Sequence, residues 1–362
     1  MYYQDFSDEI SILLPFKEGF SDKNFGSVSL YVKQINEHSN FLKNIKIYSH
    51  SRYRPFDKFN VKHLPKSISH LFFGKNYGHT KSFINSLNSQ KKPKIIEVHN
   101  RPKSIFQISH FLPSTKKFLF YHNDPLSFKE YSTLKSRKEL ISICDKICFV
   151  SEHLKERFLK DFSISHRNNS KLQVIYNGVE PRIHNSILSK KQNIVFIGEL
   201  SENKGFNFFL EAVEDFCNEF KGWTADIYGK TKTFNPSFIK NPKIHYHGFL
   251  PNDELIKELE KSSICIVPSV WNEPFGRVLL ESINAGVATI TSVNGGLKEI
   301  ANHFKVIKIE NIDKKTIYNA LKKLIMSENE ILYYSNNKVS SSPFTLKKIA
   351  DKLDSLRKFS FE

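Results

Sequence analysis

Two glutamates eight positions apart, Glu273 and Glu281, flank the turn Pro274-Phe275-Gly276 in the stretch VPSVWNEPFGRVLLESINAGVATI, Val267 to Ile290. The run ICIVPS before them reads as a strand, and the residues after Gly276 repeat apolar positions at helical spacing. Pro274 suits the first turn of a helix, where its missing N–H would be unpaired anyway. Gly276 lets a ligand approach the main chain closely. The N–H groups of Phe275, Gly276 and Arg277 would then form an anion site, strengthened by the helix dipole. Eight helical steps separate the two glutamate backbones by about 12 Å. That is too wide for two carboxylates sharing one metal ion. It suits a ligand whose diphosphate lies over the helix start, with one glutamate holding a group on each side. An ordinary strand–helix unit with a capping glutamate would need no ligand at all.

Such a turn must be carried by a strand and a helix, and the chain repeats that pairing. Apolar runs begin at Glu9, Asn44, Lys94, Lys116, Lys146 and Lys171, with helical segments or loops between them. After the polar stretch EPRIHNSILSKKQ, at 180–192, they resume at Asn193, Thr224, Lys243, Ile264, Ala288 and Lys305. Continuous apolar strands alternating with helices predict parallel sheets covered on both faces. Twelve strands exceed one small open sheet, and the polar break divides them. The expected architecture is α/β, with two doubly wound, Rossmann-like domains facing across a cleft: an N-terminal domain over 1–185 and a C-terminal domain over 186–340. A last helical stretch, 341–362, belongs to neither repeat and is available to pack back on the N-terminal domain. A (β/α) barrel is the competing architecture, and the break and the excess of strands count against it. In open parallel sheets ligands bind beyond the carboxyl ends of the strands, so the residues there are the candidates for chemistry.

Composition bounds the rest. In 362 residues, 40% are hydrophobic and 13% aromatic, which excludes a disordered chain. The start MYYQDFSDEI has neither a basic segment nor an apolar core of signal-peptide type. No apolar run approaches the roughly 20 residues that span a bilayer. Cys144, Cys148, Cys217 and Cys265 lie scattered in apolar or helical stretches and read as buried thiols of a reducing compartment. Cys144 and Cys148 lack the further ligands of a zinc site. Lys and Arg number 54 against 37 Asp and Glu, a net charge of +17 that attracts polyanions such as anionic lipid or a phosphorylated substrate. Lysines spread over solvated faces would give the same sum.

With these elements in place, EPFGRVLLE resembles the E-x7-E motif of retaining glycosyltransferases of the GT-B fold, especially glycosyltransferase family 4. FIGELSENKG from Phe196, VIYNGVE from Val174, HYHGFLPNDEL from His245, VNGGLKEI from Val293 and ICDKICFVSEHLKERF from Ile143 resemble further segments of that family, in its order. The resemblance covers roughly residues 9–340. IIEVHNRP and FYHNDP also resemble a subgroup that extends bacterial lipopolysaccharide core. The resemblance implies roles residue by residue. Glu281 would accept hydrogen bonds from ribose hydroxyls, and Glu273 would bind the donor sugar, helped by main-chain groups of Phe275 and Gly276. Lys204 would neutralise the diphosphate as a point charge. His122, with His99 as a weaker candidate, would sit near the donor sugar. Gly26, in the loop after the first strand, would approach the diphosphate or orient the acceptor, and Phe249 would line the donor site.

This chain departs from the family in two places. Glu199 stands where the family usually has Arg, which exchanges a phosphate cation for an anion; Arg277 is a candidate to compensate. The first loop also lacks the paired glycines of relatives. The implied reaction moves a hexose or N-acetylhexosamine from a UDP-linked sugar to a saccharide acceptor, such as lipopolysaccharide core or a lipid-linked glycan, with retained configuration. No Asp-x-Asp occurs, so the resemblance implies no metal and no cofactor beyond the nucleotide sugar substrate. The implied place is cytoplasmic, peripheral on the inner face of the cell membrane and held by its anionic surface. Three alternatives stay open: a nucleotide-sugar epimerase of the same fold, a basic nucleic-acid-binding protein, and an inactive relative kept for binding. No RNP motif or basic-aromatic cluster supports the second, so no nucleic-acid partner is expected.

Overall fold

The computed structural model describes residues 6–50, 53–66, 72, 74–87, 92–182, 190–232 and 234–361. Most of the polar break at 180–192 and the first residues of the chain lie outside them. The chain divides into two compact units, Met1–Gly178 with Leu346–Glu362, and Val179–Thr345. The first division falls a few residues before the expected 185, and the second a few after the expected 340.

The first unit is built on β1 (Phe6–Leu13), β2 (Phe20–Ser21), β3 (Asn24–Phe25), β4 (Ile45–Ser49), β5 (Asn60–His63), β6 (Lys92–His99), β7 (Lys116–Tyr121), β8 (Lys146–Phe149) and β9 (Leu172–Val174). Seven of these form a sheet in the order β5-β4-β1-β6-β7-β8-β9, every neighbouring pair parallel. The helices are α1 (Ser27–Asn36), α2 (Lys75–Ser86), α3 (Pro102–Phe111), α4 (Leu134–Ile143) and α5 (Glu152–Phe158). β2 and β3 make a short antiparallel hairpin in the loop between β1 and α1.

The second unit carries β10 (Lys191–Ile197), β11 (Thr224–Tyr228), β12 (Ile244–Gly248), β13 (Ser262–Val267), β14 (Ala288–Ser292) and β15 (Ile307–Ile309). They lie in the order β12-β11-β10-β13-β14-β15, all parallel. Its helices are α6 (Phe206–Glu219), α7 (Asn252–Lys261), α8 (Arg277–Asn284), α9 (Leu297–His303), α10 (Lys314–Ile325) and α11 (Glu328–Ser335). The apolar stripe of α6, Phe206, Phe209, Val213 and Phe216, packs with Ile317 and Leu321 of α10 on Ile194 and Phe196 of β10 and Ile227 of β11. Both sheets are open and doubly wound, which sets aside the barrel alternative. In each, the strand order reverses beside the first strand, between β1 and β6 and between β10 and β13. Ligand crevices form at such switch points.

The last helix, α12 (Leu346–Lys358), belongs with the first unit. Its Arg357 is fully buried and gives the N–H edges of its guanidinium to partners there. Nε and Nη2 donate to the two oxygens of Glu97 at 2.8 and 3.0 Å, Nη2 to Asn36 Oδ1 at 2.9 Å, and Nη1 to Ser39 Oγ at 3.1 Å and Asp354 Oδ1 at 3.2 Å. A buried charge is tolerated only when paired this fully. All four cysteines are buried, and burial pushes the thiols of Cys144, Cys148 and Cys265 up, which makes them inert core residues. No helix among the described residues is long and apolar enough to cross a membrane.

Candidate functional site

At the switch point of the second unit, the loops after β10 and β13 are stitched together. The main-chain N–H groups of Val270 and Trp271 both donate to Asn203 O, at 2.9 and 3.2 Å. Across that seam Lys204 Nζ meets Glu273 Oε1 at 2.5 Å, and Ser269 Oγ donates to the same oxygen at 2.8 Å. The two residues expected to meet phosphate and sugar are therefore neighbours, and without a ligand each neutralises the other. Glu273 is the more enclosed, with 12% of its side chain exposed against 33% for Lys204.

The glutamate is held by glycines. Gly295, at φ +63°, lies so close that an added Cβ would meet Glu273 O at 2.4 Å, and Gly296 N–H donates to that oxygen at 2.7 Å. Gly276 sits at φ 110° and ψ 53° as the N-cap of α8, with no side chain of its own to bond the first turn. The helix therefore begins at Arg277, and Pro274 lies before it, not in its first turn as expected. The left-handed glycine turns the chain into the helix, so the path from Glu273 to Glu281 is not eight helical steps. Phe275 is 2% exposed and packs edge-on to Phe344. Its ring anchors the loop, and its main chain packs so close to Gly296 that a Cβ there would meet Phe275 O at 2.7 Å.

Glu281, in the second turn of α8, is buried and doubly held: Arg277 Nη2 donates to Oε1 at 2.9 Å and Asn252 Nδ2 to the same atom at 3.3 Å. Arg277 thus spends its guanidinium on Glu281. Three residues before Asn252, Phe249 is 59% exposed, with Lys230 Nζ 4.4 Å from its ring centre. Glu199 follows β10 and pairs with Lys232 Nζ at 2.9 Å, in a largely exposed contact. The anion at the family's Arg position has found a cation from the loop after β11.

The remaining expected residues lie in the first unit. His122 follows β7, and its Nε2 is 2.8 Å from His99 Nδ1. His99 Nε2 is buried with no partner. An orphaned N–H costs more than an orphaned acceptor, so the proton belongs on Nδ1, which donates to His122 Nε2. Burial, with the His122 and Arg357 charges next, holds His99 well below the usual imidazole range, so it is neutral. Asn100 between them adopts a left-handed φ of 52° and accepts the His122 N–H at 2.8 Å on its side chain. Non-glycine residues in that region carry strain and cluster at functional sites.

Gly26 is the N-cap of α1, and here an unforeseen residue intervenes. A Cβ on Gly26 would meet both carboxylate oxygens of Glu18 at 2.4 Å. Glu18 Oε2 also accepts from Ser29 Oγ at 2.8 Å and Ser29 N at 3.3 Å. The start of α1, expected to offer its main chain to a phosphate, is occupied by the chain's own anion. Asn203, Ser269, Asn252 and Lys232 were also missed. Asn203 acts through its main-chain oxygen and Ser269 on a residue four positions away, whereas Asn252 and Lys232 act through long-range side-chain contacts, and only Asn252, at a helix start, carried a sequence signal.

Residues 180–339 match the family model described as "Glycosyl transferases group 1". The second unit thus carries a glycosyltransferase group 1 domain. An uncharacterised glycosyltransferase of Methanocaldococcus jannaschii is 27% identical over 178 residues, covering 44% of this chain and 45% of that protein. The matches to the first three curated relatives span only 45 to 63% of those proteins' lengths. Among solved structures, the Anabaena protein HepE in complex with UDP and glucose superposes with a TM-score of 0.72 at 13% identity, over 97% of this chain and 100% of that one. WaaG, a glycosyltransferase involved in lipopolysaccharide biosynthesis, does so with a TM-score of 0.66 at 15% identity, over 96% and 99%. The fold is GT-B.

Proposed function

We propose that this protein is a retaining glycosyltransferase that moves a hexose or N-acetylhexosamine from a UDP-linked sugar to a saccharide acceptor. One observation carries the reading: Lys204 and Glu273 meet at the switch point of the group 1 domain, beside the glycine-capped start of α8. A diphosphate arriving there takes over the Lys204 ammonium and frees the Glu273 carboxylate for sugar hydroxyls. Glu281, fixed by Arg277 and Asn252, accepts from the ribose hydroxyls, and exposed Phe249 offers a face for the base. That HepE holds UDP and glucose in the same fold supports the choice of donor.

In the reaction the bond from the sugar's anomeric carbon to the diphosphate oxygen breaks through an oxocarbenium-like state. The acceptor oxygen attacks the same face, and its proton passes to the departing diphosphate. Charge develops on that diphosphate, and Lys204 with the helix start stabilises it; removing one such electrostatic contact typically costs 100-fold or more in rate. Neither Glu273 nor Lys204 requires a metal for this, so the transfer is metal-independent.

The acceptor reading is a phosphorylated saccharide, such as lipopolysaccharide core or a lipid-linked glycan. In the first unit a cavity of about 380 Å³ is lined by Arg101, Lys103 and Lys129, with one anion, Glu130, and the rings of Phe128 and Tyr131. Cations suit a phosphate, and aromatic faces suit a sugar. The +17 charge supports salt-sensitive attachment to the anionic inner face of the membrane. Vesicle flotation should show binding to anionic but not neutral bilayers, falling as salt rises; equal binding to both refutes the electrostatic attachment.

The test of function is mass spectrometry of reactions with a panel of nucleotide sugars, with and without a phosphorylated oligosaccharide. Transfer, with release of UDP only when acceptor is present, supports the reading. Conversion of the donor to its epimer without acceptor favours the epimerase, and no turnover or binding of any nucleotide sugar overturns both.

A further inference from the structure

The sequence IHYHG places His245 and His247 two apart on β12, and strand periodicity puts both on one face. On the adjacent strand Asp226 lies directly opposite His245 in the parallel register. His247 Nε2 is 2.7 Å from Asp226 Oδ1, and His245 Nδ1 is 3.3 Å from the same oxygen. All three donor atoms lie within 4.8 Å of one another. We propose that these residues form a binding site for one divalent late transition-metal ion, with Zn²⁺ the expected occupant.

The donor set suits that class: two neutral imidazoles and a carboxylate favour zinc and its neighbours over magnesium or calcium. Metal–ligand bonds of 2.0–2.2 Å in a tetrahedron separate the ligands by roughly 3.4 Å, so small side-chain movements close the set. The surroundings hold the ligands in place. Asp226 Oδ2 accepts from Asn193 Nδ2, a buried amide on β10. The Tyr228 ring stacks on His247 with centres 4.8 Å apart. Such outer contacts are what orient metal ligands. β12 is the edge strand of its sheet and both histidines are exposed, so an ion can enter and keep water in its remaining positions. The bare alternative is a pair of histidine–carboxylate hydrogen bonds. A carboxylate oxygen can accept from two imidazoles, so the titration below, and not the convergence on Oδ1 alone, separates the two. A bound ion would pin the exposed edge strand to β11, just before the turn that carries Phe249. Edge strands are the weakest part of an open sheet.

The site shares no residue with the Lys204–Glu273 pair and does not depend on the transferase reading. The other histidine group, His50, His63 and His79 in the first unit, directs His50 Nδ1 to Leu64 O at 2.7 Å and His79 Nε2 to Leu14 O at 3.0 Å. It serves as a control. The test is calorimetric titration of Zn²⁺ into the full, untagged, metal-stripped chain, with Co²⁺ as a visible-absorption probe. One saturable site is expected. His247→Ala and His245→Ala should each weaken it at least about tenfold and abolish the intense Co²⁺ bands, while His63→Ala leaves both unchanged. Zn²⁺ should also raise the melting temperature of the parent and not of His247→Ala. Asp226→Asn, which keeps the shape of the side chain, provides a folded ligand variant if an alanine variant melts early. Absence of saturable micromolar binding, or binding that survives in the His245→Ala/His247→Ala double variant, overturns the proposal.

Discussion

The starts of α1 and α8 each follow a strand that borders a switch point, β1 on one side of it in the first unit and β13 on the other side in the second, and each is capped by a glycine. At α1 the space over the glycine holds the Glu18 carboxylate, which bonds Ser29. At α8 no side chain caps the first turn, and Lys204 stands nearby across the β10–β13 seam, paired to Glu273. One helix start has its anion built in, whereas the other is furnished with a cation and two glutamates. A glycine-capped helix start, extended at Gly26 and left-handed at Gly276, is therefore furnished in opposite ways. In the first unit it is structural, and in the second it is where the proposed reading puts a ligand's phosphate.

The largest expected effect comes from removing the cation. Lys204→Ala should lower turnover by about 100-fold or more, read in steady-state transfer assays. An unchanged rate would remove the distinction between the two helix starts. Next is Glu281→Ala, which should weaken nucleotide-sugar binding by about 1–3 kcal/mol in calorimetry, provided its melt matches the parent. Unchanged affinity in a folded variant would sink the ribose assignment.

Glu18→Gln sharpens the comparison from the other side. It keeps the shape but not the charge at α1, so it should lower stability by about 1 kcal/mol and leave UDP affinity within about twofold. A large gain in UDP affinity would mean that α1, not α8, competes for the phosphate. Smaller still is the effect of Glu199. Its exposed pairing with Lys232 contributes about 0–1 kcal/mol to stability. Both Glu199→Gln and Glu199→Arg should then fold like the parent. Lower turnover with similar or better UDP affinity would mark recruitment to sugar or acceptor; tighter UDP binding with full turnover would mark a tolerated loss of the family's Arg.

A pH effect belongs to the first unit. His99 is held neutral, with its pKa below the ordinary value of about 6.5. Between that depressed value and 6.5 the unfolded chain binds more protons than the folded one. Stability should therefore be level above pH 6.5 and fall as pH drops below it. Chemical denaturation across that range should show a shallower fall in His99→Gln than in the parent.

Much of this architecture is legible in the sequence for a physical reason. A parallel strand buried on both faces must be apolar throughout, and all twelve runs are strands, although β12, at a sheet edge, leaves His245 and His247 exposed. β5 was missed because its residues, NVKH, face solvent at a sheet edge, and β2 and β3 because two residues make no pattern. Glu273 and Glu281 stand out by their spacing around the turn, whereas Lys204 is singled out only by the family resemblance. What was not legible depends on partners far along the chain: Lys232 on Glu199, Asn252 on Glu281, Glu18 over Gly26. Arg357 and Glu97 make a buried pair 260 residues apart, which no local pattern announces. The start of α8 was misplaced because Gly276 adopts a left-handed turn that spacing alone does not reveal.

The central claim is that Lys204 and the start of α8 receive a diphosphate, and comparing UDP with uridine by calorimetry tests it most directly. Binding of UDP much tighter than uridine is expected in the parent. Lys204→Ala should lose about 1.5–3 kcal/mol of UDP affinity, the contribution of a hydrogen bond to a charged group, while uridine affinity stays the same. UDP affinity that is untouched by the substitution, or an equal loss for uridine, would contradict the account.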